Sequence, residues 1–252
     1  MCLLLLGSQV LACRPLVVAA NRDEYYDRPA APPGVILDVP RAVGGKDLRS
    51  GGTWLGLNEY GLVAAVTNRH AEKAPDPRLP SRGLLCLEAL RQRTAREAAA
   101  HLGARLGRAR YNPFNLLLAD LGEVWFVTNA ADTPPRRLGP GWHIVGNGDP
   151  DDLAEPRVAR AKAGLAAAAG CAPPALPALL ARLCRDHGAA GGGTGADAVC
   201  VHRAEAGTRS AAIVVARDAA CGSYWHADGA PCTAAYGRVE VPWWRPLEEE
   251  GP

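Results

Sequence analysis

The chain has 252 residues, of which 48% are hydrophobic and 21% are charged, and its formal net charge is +2. This composition is typical of a globular protein with a sizeable core and excludes the disordered and fibrous classes. The balanced charge gives no electrostatic support for a nucleic-acid partner. No apolar run approaches the roughly 20 residues that a membrane-spanning helix needs, so we expect no stable membrane insertion.

The amino-terminal residues do not fit a secretory signal. No Lys or Arg precedes Arg14, and the apolar run Cys2–Leu6 stops at Gly7, whereas a signal needs a basic region followed by about 7–15 apolar residues. The eight cysteines form no C-x-x-C pair, the spacing typical of zinc clusters and thioredoxin-type sites. We therefore expect a cytoplasmic protein with reduced thiols, no metal site and no resident cofactor.

The first half of the chain predicts paired strands followed by two helices. The predicted elements are strands at Cys2–Leu6 and Leu16–Ala20, a hairpin of Thr53–Leu57 and Leu62–Thr67, and helices from Ser81 to about Arg93 and from Thr94 through Leu106. Thr94 and Glu97 have the spacing of a capping box. Pro32 and Pro33 predict irregular structure between the strands, and the Gly44-Gly45 pair predicts a turn.

The second half repeats this order. Its predicted elements are strands at Asn115–Ala119, Val124–Thr128 and His143–Val145, helices at Pro156–Ala169 and Ala175–Cys184, and strands at Ala198–Val201, Ala211–Ala216 and Ser223–His226. Strands that cluster in hairpins favour antiparallel sheets, and runs that are apolar on both faces favour burial between layers. We predict an α+β fold, a four-layer α/β/β/α sandwich, formed by a single domain of residues 1–252.

Cys2 is the first candidate for chemistry. Removal of Met1 would give this cysteine a free α-amine, which titrates near ~7.7–8.0 and can accept the proton of the thiol at neutral pH. A nucleophile and its base then belong to one residue, as in the analogous N-terminal threonine. From the terminus alone, a buried strand residue is the commoner role for a cysteine.

Two polar segments support the chemical interpretation. Asn21-Arg22-Asp23-Glu24 directly follows the second predicted strand and belongs at a sheet edge or cleft rim. Asn68 ends the predicted hairpin, where its carboxamide N–H can stabilise an oxyanion. Each segment taken alone is equally typical of a strand-end turn.

In combination these motifs resemble the NRDE family, the relatives of transport and Golgi organisation protein 2. The resemblance covers most of the chain and is carried by Met1-Cys2, Ala20–Glu24 with Arg28-Pro29, Gly51–Gly56, Ala64–Asn68, Ser81–Gly83, Tyr111–Leu116 and Gly207–Arg209. It implies an N-terminal-nucleophile (Ntn) hydrolase-like fold and a distant similarity to bile-salt hydrolases and penicillin V acylases.

The resemblance also implies site residues. Cys2 matches the nucleophile, and the Arg-x-x-Asp segment of those hydrolases corresponds to Asn21 and Glu24, so both residue types have changed. The implied catalytic set is Cys2, Asn21, Glu24, Asn68, Asn147 and Arg209, and we assign Arg22 and Asp23 to substrate binding. The implied function is hydrolysis of a non-peptide amide such as an N-acyl amino acid.

Other functions remain as alternatives. Relatives linked to haem and lipid metabolism indicate a non-catalytic carrier that would hold haem transiently or a lipid in the same pocket, although the sequence has no C-x-x-C-H motif. The six histidines show no H-E-x-x-H spacing, and the local signature of a papain-like Cys–His pair is absent. The sequence does not define the substrate or the oligomeric state.

Overall fold

The computed structural model describes residues 2–11, 13–71, 74–130, 133–166, 172–248 and 251–252. Within these ranges the strands are β1 (Leu3–Leu11), β2 (Arg14–Tyr25), β3 (Ala30–Asp38), β4 (Arg41–Asp47), β5 (Leu55–Asn58), β6 (Val63–Asn68), β7 (Phe114–Ala119), β8 (Val124–Thr128), β9 (Arg136–Leu138), β10 (Gly141–Val145), β11 (Ala206–Asp218), β12 (Cys221–Ala227) and β13 (Tyr236–Val239). The helices are α1 (Gly83–Ala89), α2 (Ala95–Leu106), α3 (Pro156–Leu165) and α4 (Leu176–Cys184). Met1 and the end of the predicted helix Pro156–Ala169 lie outside the described residues.

The strands form two sheets. One sheet has the order β10-β1-β2-β11-β12-β13 and the other the order β3-β4-β5-β6-β7-β8-β9. Each strand pair described in the two sheets is antiparallel. The predicted hairpin is the β5–β6 pair, in which Leu55 lies opposite Ala65.

Side-chain alternation along the strands sorts the core into layers. Leu4 and Leu6 pack between the sheets against residues such as Leu117, whereas Leu3 and Leu5 face α3 and α4. Helices α1 and α2 cover the outer face of the second sheet. The four-layer α/β/β/α prediction is therefore confirmed. No helix in the described part of the chain is both long and apolar enough to cross a membrane.

Local capping signals explain the helix starts. Thr94 begins α2 with its hydroxyl accepting the Glu97 N–H at 3.1 Å, and the Glu97 carboxylate accepts the Arg93 N–H at 3.1 Å. The predicted capping box is thus present, with the carboxylate reaching one residue further back than in the standard form. Pro156 occupies the first turn of α3, where its missing N–H costs nothing.

Strand β2 is longer than the sequence predicts. It runs through Asn21, Arg22, Asp23 and Glu24 to Tyr25 instead of stopping at Ala20. The extension is stabilised by β11, which pairs with β2 from Tyr25 back to Leu16. Long-range pairing of this kind carries a polar segment into a strand that local propensity would end. Its four polar side chains consequently alternate between the two faces of the sheet.

The prolines and glycines between residues 30 and 47 also lie in strands. Pro32 and Pro33 belong to β3, at the edge of its sheet, where a missing N–H costs no central ladder bond. Gly44 belongs to β4, and a Cβ there would lie 2.6 Å from the Leu55 carbonyl oxygen. The prediction of irregular structure at Pro32 and Pro33 is therefore wrong, because the edge position outweighs local propensity. The predicted turn follows β4 at residues 48–50, between the Gly44-Gly45 and Gly51-Gly52 pairs.

The predicted strand Ala198–Val201 is wrong as well. The N–H groups of Val199 and Cys200 both donate to the Asp186 carbonyl, at 3.0 and 2.8 Å. The segment is therefore tied to the loop after α4, and its apolar residues are buried without joining a sheet.

Candidate active site

Cys2 lies at the amino end of β1 and faces the space between the sheets. It is two residues before Leu4, on the same face as the inter-sheet core. The side chain is half-buried and lines a cavity of about 70 Å³. Burial raises the pKa of the Cys2 thiol, although the backbone N–H of Asp23 donates to the sulfur and opposes that shift. Because the thiol is then protonated at neutral pH, attack by sulfur requires a base.

Arg22 enters the same cavity from β2. Its side chain is 5% exposed, and its guanidinium carbon lies 4.4 Å from the centre of the Trp54 ring. The buried Nη2 atom has no hydrogen-bond partner among the described residues. Burial lowers the pKa of Arg22, but an arginine stays charged. Burying a charged donor without a hydrogen-bond partner lowers the stability of the fold, unless a ligand accepts that hydrogen bond.

Glu24 lies on the same face but is bound to other groups. Its Oε1 accepts the Tyr25 N–H at 3.0 Å, and its Oε2 lies 3.6 Å from Nε of Arg28. Arg28 also contacts Asp47, at 2.7 Å between Nε and Oδ2. The carboxylate is therefore neutralised by Arg28, and no hydrogen bond of Glu24 to Cys2 occurs in the described residues. The resemblance implies that Glu24 is catalytic, but among the described residues its carboxylate binds Tyr25 and Arg28 and not the Cys2 thiol.

The opposite wall is built by two closely packed turns. The Thr53 N–H donates to the Gly83 carbonyl at 3.1 Å, and a Cβ at Gly83 would lie 2.9 Å from the Thr53 carbonyl oxygen. Glycine at position 83 allows this approach and brings Arg82 to the cavity. One Arg82 Nη1 donor binds the Pro113 carbonyl at 3.1 Å, and burial lowers the pKa of the Arg82 guanidinium.

Asn68 ends β6 and also lines the cavity. Its carbonyl oxygen accepts Nδ2 of Asn147 at 2.6 Å, while its carboxamide has no hydrogen-bond partner among the described residues. The Asn147 N–H in turn donates to Oε2 of Glu155 at 3.0 Å. Asn147 therefore positions Asn68 and does not itself line the cavity.

Asn21 and the side chain of Asp23 lie on the opposite face of β2. Nδ2 of Asn21 donates to the carbonyls of Cys184 and Val199, at 2.8 and 3.0 Å. Asp23 accepts Thr208 Oγ1 at 2.7 Å and forms a buried ion pair with Arg157 at 2.9 Å. These side chains join the sheet to the helical layer, because residues 21 and 23 alternate with 22 and 24. The geometry therefore does not support Asn21 as a catalytic group. Asp23 lines the cavity of Cys2 although its carboxylate binds Arg157 and Thr208, so its assignment to substrate binding stays a prediction.

Arg209 is also separate from the cavity. It sits at a register shift between β11 and β2, and its Nη1 donates to the Tyr26 carbonyl at 2.7 Å. Its guanidinium carbon lies 5.9 Å from the centre of the Tyr26 ring. In the described residues Arg209 does not line either cavity near Cys2, so the bulge directs its side chain away from the implied position.

A second, larger cavity of about 550 Å³ adjoins the first. The two share Asp23, Glu24 and Asn68. The larger cavity has apolar walls that include Tyr25, Val201 and other residues near the start of β11. Its volume is within the range of small-molecule sites, whereas the cavity at Cys2 holds only a few atoms.

Sequence reasoning assigned no role to eight residues that line the cavity, and four of these are charged or aromatic: Arg28, Asp47, Trp54 and Arg82. Three of them belong to segments that carry the family resemblance, but none has a spacing that identifies a role. Their positions depend on strand pairing and on the Gly83 approach. These residues can be identified only from their proximity to Cys2 in the folded structure.

The fold is that of the Ntn hydrolases. Penicillin V acylase from Agrobacterium tumefaciens matches with a TM-score of 0.58 at 15% identity, covering 96% of this chain and 86% of that chain. The C2A mutant of conjugated bile acid hydrolase from Clostridium perfringens matches with a TM-score of 0.57 at 10% identity, covering 99% of both chains. The N-acylethanolamine-hydrolyzing acid amidase ortholog of Caenorhabditis elegans gives 0.55 at 11% identity, with 85% and 92% covered. At these identities the likeness establishes the fold alone.

Residues 1–187 match the family model described as Transport and Golgi organisation 2, and the chain belongs to that family. The Transport and Golgi organization protein 2 homolog of Bos taurus is 31% identical over 147 residues, which cover 52% of this chain and 50% of the relative. The Homo sapiens homolog is 31% identical over 141 residues with the same shares. The chain spans about half the length of these curated relatives. The resemblance predicted from the motifs is confirmed.

Proposed function

We propose that this protein is an Ntn-type cysteine amidohydrolase that cleaves a non-peptide amide carrying a carboxylate, such as an N-acyl amino acid. The observation that carries the proposal is the cavity in which Cys2 faces Arg22, a buried guanidinium with an unpartnered Nη2. A nucleophile beside a buried guanidinium with an unpartnered donor is suited to a substrate that develops or carries negative charge. The proposal requires that removal of Met1 exposes the α-amine of Cys2.

The first half of the reaction forms a thioester. The α-amine accepts the thiol proton of Cys2, and the sulfur attacks the amide carbonyl carbon, so that a carbon–sulfur bond forms and an oxyanion develops. Collapse of this intermediate breaks the carbon–nitrogen bond, and the α-ammonium group returns the proton to the leaving amine. The raised pKa of the thiol makes the amine necessary, because little thiolate exists at neutral pH without it.

Water completes the cycle. The α-amine accepts a proton from water as its oxygen attacks the thioester, and collapse breaks the carbon–sulfur bond and releases the carboxylic acid. The proton returns to the sulfur and restores the starting enzyme. No cofactor or metal is needed for either half of this reaction.

Asn68 is our candidate for stabilising the oxyanion. It lines the cavity with a carboxamide that has no partner among the described residues, and Asn147 fixes its backbone. A preorganised donor of this kind is typically worth about 10²–10³ in kcat. We assign Arg22 to the same region, where its charge supports both the oxyanion and a nearby substrate carboxylate.

The charge of the cavity favours an acidic substrate. Three arginines, Arg22, Arg28 and Arg82, and three acidic residues, Asp23, Glu24 and Asp47, line it. The Asp23 carboxylate pairs with Arg157, and the Glu24 and Asp47 carboxylates contact Arg28. Arg22 and Arg82 are therefore the cavity arginines that form no ion pair among the described residues. The larger adjoining cavity has the volume and the apolar wall to hold an acyl chain. The names of the structural neighbours, an acylase, a bile acid hydrolase and an acid amidase, are consistent with this substrate class.

The test combines intact mass with a substrate screen. Purified protein should lack Met1, and a panel of N-acyl amino acids should include substrates whose turnover is abolished in Cys2→Ala. Cys13→Ser is the matched control, because Cys13 is exposed and lies outside the cavity, and it should retain full activity.

Two results would contradict the proposal. Retention of Met1 in active protein would rule out the α-amine as the base. Absence of turnover across the amide panel, together with haem or lipid binding that survives Cys2→Ala, would favour a carrier that uses the same cavity.

A further inference from the structure

Four side chains of the kind that bind metals meet outside the cavity of Cys2. They are His187, Cys200, His202 and Cys232, and one ligand atom from each lies within 4.8 Å of those of the other three. His187 follows α4, Cys200 and His202 lie before β11, and Cys232 lies in the loop after β12. The fold thus gathers two thiols and two imidazoles from three separate segments.

The separations match tetrahedral coordination. With zinc bonds of about 2.3 Å to sulfur and 2.0–2.1 Å to nitrogen, a tetrahedron places two sulfurs about 3.8 Å apart and a sulfur and a nitrogen about 3.6 Å apart. The Cys200 and Cys232 sulfurs are 3.7 Å apart. Nε2 of His202 lies 3.6 Å from the Cys200 sulfur and 3.3 Å from the Cys232 sulfur. A single ion therefore fits between these three atoms without rearrangement.

The fourth ligand is indicated by an orphaned atom. Nε2 of His187 is buried and has no hydrogen-bond partner among the described residues, and its ring lies 5.1 Å from that of His202 in an edge-on arrangement. Buried polar atoms are nearly always paired, so an unpaired imidazole nitrogen beside three other ligand atoms requires an explanation. A bound cation supplies one.

We propose that His187, Cys200, His202 and Cys232 form a structural Zn²⁺ site of the Cys₂His₂ type. Four protein ligands complete the tetrahedron, which is the hallmark of structural rather than catalytic zinc. Two thiolates and two neutral imidazoles give a neutral complex, which suits a partly buried position.

The site is placed to hold the wall of the larger cavity. Val201, between the ligands Cys200 and His202, lines that cavity, and its N–H donates to Oγ1 of Thr208 at 2.9 Å. The ion would tie this segment to the loop after α4 and to the loop that carries Cys232. None of the four side chains lines the cavity of Cys2, so on the proposed function the zinc would shape the larger cavity without taking part in amide cleavage.

A disulfide between Cys200 and Cys232 is the rival interpretation. Its formation would close the 3.7 Å separation to a bond of about 2.05 Å and would need an oxidant. It would also leave both imidazoles unexplained. The zinc site accounts for all four side chains together, and the two interpretations differ in mass and in metal content.

The test uses the full chain purified without a polyhistidine tag. Elemental analysis should find about one zinc per chain, and Cys232→Ser and His187→Gln should each reduce this at least about tenfold. Replacement of zinc by Co²⁺ should give the sulfur-to-cobalt charge-transfer band and the intense visible bands of tetrahedral coordination. The matched controls are Cys13→Ser and His101→Gln, an exposed cysteine and an exposed histidine outside the cluster, which should keep their zinc.

Three outcomes would overturn the proposal. The first is a wild-type chain that binds neither Zn²⁺ nor Co²⁺ when the metal is added to reduced protein. The second is zinc that persists in the Cys232→Ser/His187→Gln double variant. The third is a native mass two hydrogen atoms lighter, restored by reductant and absent in Cys232→Ser, which would establish the disulfide. The cobalt spectrum of the wild-type chain decides the question even if a variant fails to fold.

Discussion

Replacement of Asn21 by Ala should lower the stability of the protein and leave the chemistry of Cys2 intact. The Asn21 side chain is 1% exposed and donates to two carbonyls of the helical layer. The Val199 carbonyl keeps a second donor, Nη2 of Arg157 at 3.2 Å, whereas no other donor to the Cys184 carbonyl is described. Leaving the Cys184 carbonyl without a donor costs about 1–3 kcal/mol of stability. Losing the hydrogen bond to the Val199 carbonyl adds about 0.5–1.5 kcal/mol.

One contribution to the free energy of unfolding favours the Asn21→Ala variant. Oδ1 of Asn21 is buried without a partner, and deleting it recovers a desolvation cost comparable with the smaller of the two losses. We therefore expect a net destabilisation of about 1–3 kcal/mol. At about 2–4 °C per kcal/mol for a chain of this size, Tm should fall by about 2–12 °C.

Asn68→Ala is the matched comparison. Asn68 is half-buried at the cavity and its carboxamide has no partner in the described residues, so its removal should change stability by no more than about 0.5 kcal/mol. It should instead lower kcat about 10²–10³-fold. Thermal unfolding and turnover of an N-acyl amino acid measure the two effects, and the alkylation rate of Cys2 provides a substrate-free readout. An Asn21→Ala variant with unchanged Tm and lost turnover would refute this division and restore Asn21 to the catalytic set.

Three further predictions concern charged groups. Arg157→Met should destabilise the protein by about 3–5 kcal/mol in urea unfolding, because it breaks the buried ion pair between Arg157 and Asp23. A change below about 1 kcal/mol would contradict the importance of this pair. The hydrogen bond that His143 donates to the Asp151 carboxylate raises the pKa of His143. This pair therefore stabilises the fold fully below the unfolded pKa of about 6.5 and loses that contribution as pH rises through the folded value. His143→Gln should lose more stability at about pH 5.5 than at about pH 9, and equal losses would exclude the linkage. Because burial raises the pKa of the Cys2 thiol, its alkylation rate should still rise with pH above about 8.5, and a plateau below pH 7 would show that the thiol is activated instead.

Local signals predicted the elements whose patterns are self-contained. The hairpin before Asn68 is predicted by alternation and a turn, and α2 by Thr94 and Glu97, and both are confirmed. The polar end of β2 and the Pro-containing β3 were missed for the same reason. The end of β2 is a strand because it pairs with the distant β11, and β3 tolerates its prolines because it lies at a sheet edge. A short stretch of sequence shows neither the pairing nor the edge position.

The candidate site divides in the same way. Cys2 and Asn68 follow from the sequence because each sits at the end of an identifiable strand, and both line the cavity. Arg82 was not singled out, since its place depends on the close approach of Gly83 to Thr53. We predicted no metal site because the sequence has no C-x-x-C pair. The four side chains of the proposed zinc site come from three separate segments, and no local spacing identifies such a set.

The period of β2 explains how one polar tetrapeptide can serve two purposes. Arg22 and Glu24 face the cavity of Cys2, while Asn21 and Asp23 face the helices. A one-residue slip against β11 would exchange these faces, placing the ion-pairing carboxylate in the cavity and the cavity arginine among the helices. The two outward contacts oppose such a slip, because each is buried and specific to its partner. The alternate residues, whose side chains bind the helical layer, therefore hold in register the residues whose side chains face Cys2.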